Sequence, residues 1–113
     1  MPAAKYDIEI EQGATFSLVI TYENPDGTLV NLTGMTARMQ VRDPADDSLI
    51  VELTTENGRI TLGGAAGTVT LSITAADTAA LTRGGIYDLE LVNGSEVTRL
   101  IQGKASLSEE VTK

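Results

Sequence analysis

Val69-Thr70-Leu71-Ser72-Ile73-Thr74 places an apolar side chain on every second position, and Tyr87-Asp88-Leu89-Glu90-Leu91 and Tyr6-Asp7-Ile8-Glu9-Ile10-Glu11 do the same. A period of two sends successive side chains to opposite sides of an extended backbone, so each stretch reads as a strand with one buried face. The pattern continues outward from these three. Ala14 to Glu23 carries Phe16, Leu18, Ile20 and Tyr22 on one face, and Thr28 to Leu32 follows. In Met35 to Arg42, Ala37, Met39 and Val41 alternate with Arg38, Gln40 and Arg42. Leu49, Val51 and Leu53 mark the next strand, then Arg59 to Leu62, and Ile86 to Val92 with Val97 to Leu107 close the series. Many short strands at regular spacing predict an all-β chain, a sandwich or small barrel, and such scaffolds host many unrelated functions.

Turn chemistry separates the strands. Asn24-Pro25-Asp26-Gly27 combines a proline that presets φ with a glycine that accepts a positive one. Asn57-Gly58 has the composition of a type I′ hairpin. Asn93-Gly94-Ser95-Glu96 joins the last two strands, with Gly103 expected to form a bulge in the second of them. Thr74 to Leu81 predicts the one short helix: Thr74 and Asp77 have capping-box spacing, the alanines favour helix, and Gly84-Gly85 ends it. Glu109 to Lys113 reads as a loose tail or an extra edge pairing, and residues 1–113 as a single domain. Common phase within each strand predicts a core of Ile8, Ile10, Phe16, Leu18, Ile20, Met39, Val41, Val51, Val69, Leu71, Ile73, Tyr87, Leu89 and Leu91, with Tyr6 and Tyr22 on the same apolar face.

A length of 113 residues suits one core, and 42% hydrophobic against 21% charged residues is a globular composition. Sixteen acidic residues against eight basic ones give a formal net charge of -8, which opposes the phosphate backbone of nucleic acid. With no Cys there is no disulfide and no thiolate metal site; with no His the commonest general base near neutral pH is missing too. No apolar run reaches the ~20 residues of a membrane helix, and the stretch from Met1 to Asp7 lacks the apolar core of a signal peptide. Synthesis in the cytoplasm, without membrane or nucleic-acid partners, is the resulting expectation. Asn31-Leu32-Thr33 and Asn93-Gly94-Ser95 then read as turn chemistry and not as glycan acceptors.

Few residues carry chemistry. Gly63-Gly64-Ala65-Ala66-Gly67 resembles a phosphate loop only superficially, because it lacks the lysine and joins two strands without opening a helix. It reads as a flexible hairpin tip of small residues, and Gly63, Gly64, Ala65, Ala66 and Gly67 are the candidate partner-contact residues. Asp43, Asp46 and Asp47 share one turn, short of the 6 to 8 oxygens calcium takes, and are expected to bond nearby backbone amides. The outward acids Asp88 with Glu90, and Glu9 with Glu11, suit solubility and edge protection better than glycoside cleavage. No serine lies in a nucleophile-elbow sequence. No enzyme activity, cofactor or metal is expected.

The order of motifs carries a resemblance. Tyr6 to Phe16 with its Glu11-Gln12-Gly13, then Asp26-Gly27-Thr28, Val30-Asn31-Leu32-Thr33-Gly34 and Met35 to Arg42, resembles small tail-module proteins of bacteriophages and prophages. It is also similar to the N-terminal domain of phage baseplate upper proteins. Ile60-Thr61-Leu62, Thr74 to Leu81, Gly85 to Leu91 and Val97 to Gly103 continue the family's order, so the likeness covers nearly the whole chain. It implies an immunoglobulin-like antiparallel β-sandwich in a structural virion protein: a capsid-decoration, neck, or tail and baseplate component. Partners would be other virion proteins, with a homo-oligomer or multiple symmetric copies. Baseplate upper proteins continue into receptor-binding parts, whereas this sequence closes at Lys113, which leads to the expectation of a part without a tip of its own. The alternative class is a carbohydrate-binding or adhesin-like sandwich module.

Overall fold

The computed structural model describes residues 3–112. Its strands are β1 (Ala4–Lys5), β2 (Ile8–Glu11), β3 (Phe16–Thr21), β4 (Thr36–Arg42), β5 (Leu49–Thr54), β6 (Ile60–Leu62), β7 (Thr68–Ile73), β8 (Gly85–Asn93) and β9 (Glu96–Ser108), with α1 (Ala75–Ala79) between β7 and β8. They form two sheets. The larger runs β1-β9-β8-β4-β5 with β2 also on β9, and the smaller runs β3-β7-β6. The two sheets are the layers of a β-sandwich. The resemblance implied an antiparallel sandwich; the sandwich is present, with the smaller sheet antiparallel and the larger one mixed, because β1 and β2 both lie parallel to β9. A parallel partner is possible because the chain crosses from one end of the sandwich to the other before β9 begins, which a tight hairpin cannot do.

The first strand is split in two at Tyr6-Asp7, where Tyr6 N donates to Gln102 O and Asp7 Oδ1 accepts from Lys104 N at 2.9 Å. Gly103 faces this break, and a Cβ there would stand 2.5 Å from Tyr6 O. Close backbone approach, and not a bulge, is therefore what glycine serves at 103. The bulge in β9 falls at Leu100, since Leu89 pairs with Ile101 and Glu90 with Arg99. Asn57-Gly58 likewise does not close a hairpin: it lies on the crossover from β5 in one sheet to β6 in the other. The Asn57 side chain accepts there from Thr54 N and Arg59 N, tying the crossover together. Thr28 to Leu32 makes one bridge, Glu23 to Leu29, in place of a strand.

The core is aliphatic. Leu32, Met39, Leu53, Leu71, Ile73 and Leu89 are the largest fully buried side chains, each contributing about 1.5–3 kcal/mol by leaving water. Eleven of the expected core residues are buried, but Phe16, Leu18 and Ile20 are only half-buried. Their alternation is as expected; β3 lies at the edge of a three-stranded sheet, so its inward face is covered on one side only. Tyr6, expected among the core aromatics, is 48% exposed because the strand breaks there.

Candidate interaction surfaces

The 63–67 segment forms one turn of 3₁₀ helix over Gly64–Ala66, between β6 and β7. Its small residues do not all face outward: Ala65 and Ala66 are exposed, whereas Gly67 is buried. Gly67 O accepts from Tyr22 N at 2.8 Å and Gly64 O from Leu32 N at 2.9 Å, so the tip is clasped by the connection between β3 and β4. The expected flexible hairpin is thus a braced turn, held because backbone amides on the neighbouring connection find their acceptors in it. Gly64 has φ of +60°, which favours glycine and excludes proline. Leu29 on the clasping connection is itself exposed.

The acidic turn is occupied locally. Asp43 pairs with Arg83 at 2.8 Å and accepts from Ala45 N, and Asp46 accepts from both the hydroxyl and the N–H of Ser48. The Ser48 bonds hold the Asp46 carboxyl below its ordinary range. Asp47 adopts φ of +60° and its N–H donates to Asp43 O. Among the described residues, no three His, Cys, Asp or Glu side chains converge to hold a metal ion.

Strand register assembles a surface that sequence reasoning missed. On the outer face of the larger sheet, Lys5, Gln102, Asp88, Gln40 and Glu52 form one row across five strands. Arg99, Glu90 and Arg38 form the row on one side of it, and Lys104, Ile86 and Arg42 the row on the other. Arg38 pairs with Glu90 at 2.8 Å and Arg99 with Asp88 at 3.5 Å. The outward acids of β8 therefore serve as cross-strand partners for arginine. Toward the Ile86 end the face hollows into a groove of about 590 Å³ that brings Lys5, Arg42, Arg99 and Lys104 together with Asp47 and Asp88. The alternation of β4 shows its arginines facing outward, but only the pairing of β1, β4, β8 and β9 makes neighbours of cations from positions 5, 42, 99 and 104.

Two internal clasps stiffen the opposite parts of the sandwich. The Tyr87 hydroxyl donates to the carbonyl of Tyr6, and burial, followed by the proximity of Tyr6 and Asp7, pushes the Tyr87 phenol up to about 12. Gln12 donates to Leu81 O at 2.7 Å and accepts from Glu110 N at 2.9 Å, joining the first turn to the end of α1 and to the segment after β9. Residues 109–112 carry no secondary structure. Lys113, the end of the expected tail, lies outside the described residues, as do Met1 and Pro2. No known family profile matches the chain, and no curated protein matches it.

Proposed function

We propose that this chain is a non-enzymatic structural protein of a bacteriophage particle, attached as a capsid-decoration, neck or tail component through protein–protein contacts. The observation that carries this reading is the order of motifs from Tyr6 to Gly103, which resembles that of phage tail-module domains and lies along the successive strands of the sandwich. Exposed edges support it. β3 and β6 border the smaller sheet and β5 one side of the larger, each with backbone groups able to pair with a neighbour. Ala65 and Ala66, exposed on the 63–67 turn, offer small side chains that permit close approach. Repetition on a symmetric particle lets each contact be weak.

The test is mass spectrometry of purified particles, in which the protein is expected in fixed stoichiometry. Ala65→Arg, outward on the braced turn, is expected to lower incorporation while leaving the melting temperature of the isolated protein unchanged; Gly64→Pro would confound the two because of its positive φ. Absence from particles, or incorporation of Ala65→Arg at the normal level, overturns the reading. The carbohydrate-binding alternative is favoured by one feature, the exposed Tyr6 ring beside Asp7 and Glu9 on a cleft of about 290 Å³. Aromatic faces stack on sugars, so a glycan-array signal lost in Tyr6→Ala would select that alternative.

A further inference from the structure

The groove on the outer face of the larger sheet inverts the charge of the molecule. Four of the eight basic residues line it with only two of the sixteen acidic ones, in a chain whose net charge is -8. Arg42 is held in place by its bonds to Gln40 at 2.9 Å and to Asp47 O at 2.8 Å. Arg99 has two long contacts, to Asp88 at 3.5 Å and to Gln102 Oε1 at 3.4 Å, and Lys5 and Lys104 have no ion pair among the described residues. Ile86 lies directly opposite both Arg42 and Lys104 in the ladder and is 48% exposed. Cations flanking an exposed aliphatic side chain complement an extended segment in which carboxylates adjoin an apolar residue.

The chain itself carries such a segment. Glu109-Glu110-Val111-Thr112 follows β9 without secondary structure; Glu110 is half-buried and held by Gln12, whereas Glu109 is exposed and Val111 is 93% exposed. We propose that residues 109–112 of one copy dock in the groove of a second copy while Gln12 keeps its bond to Glu110 N, with Glu109 against Lys104 and Lys5 and Val111 on Ile86. Groove and segment are different surfaces, so the contact is head-to-tail and continues from copy to copy, closing into a ring or running on as a filament according to the rotation per step. Overall negative charge opposes association at long range, but at physiological salt the screening length is about 8 Å, and the local contacts lie inside it. The inference concerns the isolated chain and does not rest on its placement in a phage.

The experiment is sedimentation analysis of the full chain across a concentration series, with melting temperatures confirming that each variant folds. The wild type is expected to grow beyond a dimer as concentration rises, and Lys104→Glu and Glu109→Lys each to be monomeric. Mixing those two variants is expected to restore growth, because the intact segment of one meets the intact groove of the other and the reversed pair is again of opposite charge. A wild type that stays monomeric at every concentration overturns the proposal. So does growth unaffected by both variants, which places the contact elsewhere. Binding of a single-stranded oligonucleotide lost in Lys104→Glu, without self-association, would assign the groove to phosphates and equally reject the proposal.

Discussion

Thr78 is the buried polar side chain of the described residues, and its hydroxyl makes three bonds. Its one proton is shared between Ala14 O at 2.8 Å and Ala75 O at 3.1 Å, and its oxygen accepts from Gly13 N at 3.1 Å. One short side chain therefore fastens α1 to the first turn. Thr78→Val keeps the shape but strands Gly13 N and Ala14 O, and should cost about 1–3 kcal/mol in a denaturant melt, more than the near-zero expected for exposed Thr61→Val. Tyr87 makes the corresponding link to the N-terminal strand. Its phenol is raised from 10.0 to about 12, so the folded chain holds that proton more tightly than the unfolded chain. The stability this contributes is complete below the unfolded value near 10 and is lost as pH rises from there toward about 12. Melts across that interval should show a decline that Tyr87→Phe lessens, and in ultraviolet titration one tyrosine should ionise last in the wild type.

At the scale of the element, position in the sheet governs what a strand contributes. β7 is flanked by β3 and β6, and its Leu71 is fully buried; β3 has the same alternation but an open edge, and its Phe16 is half-buried. Leu71→Ala should therefore lose about 2–5 kcal/mol, while Phe16→Ala should fall below the roughly 3–5 kcal/mol of a fully buried phenylalanine. Equal losses, measured by urea melts of both variants, would show that β3 is covered as deeply as β7. The helix follows local rules closely. Thr74 caps it by accepting from Asp77 N at 3.3 Å, and the Arg59 guanidinium, with Thr74, holds the Asp77 carboxyl below its ordinary range.

For the whole molecule, a continuous apolar cluster drawn from both sheets and from Leu32 and Leu81 on the connections predicts one folding unit. Circular dichroism of the strands and fluorescence of the tyrosines should lose signal at the same denaturant concentration. Separate midpoints would mean that the smaller sheet unfolds by itself. Charge is also organised at this scale: the arginines of β4 and β9 meet the acids of β8 across the ladder, and four cations collect in the groove although the molecule as a whole is acidic.

By itself the sequence determined the all-β class, the inward face of nearly every strand, the Asn24 to Gly27 turn, the Asn93 to Glu96 hairpin and the capped helix. These depend on side-chain period and on local φ preferences, which neighbouring residues carry. Only the tertiary structure decided that the first strand runs parallel to β9, that Asn57-Gly58 crosses between sheets, that Gly103 makes room for Tyr6, and that Gly63 to Gly67 is braced at its tip. The same holds for the candidate sites: Gly63 to Gly67 was legible as a run of small residues, whereas the cationic groove was not. Lys5, Arg42, Arg99 and Lys104 are neighbours through strand pairing between distant segments, and no local pattern encodes which strands pair or where the chain must approach itself.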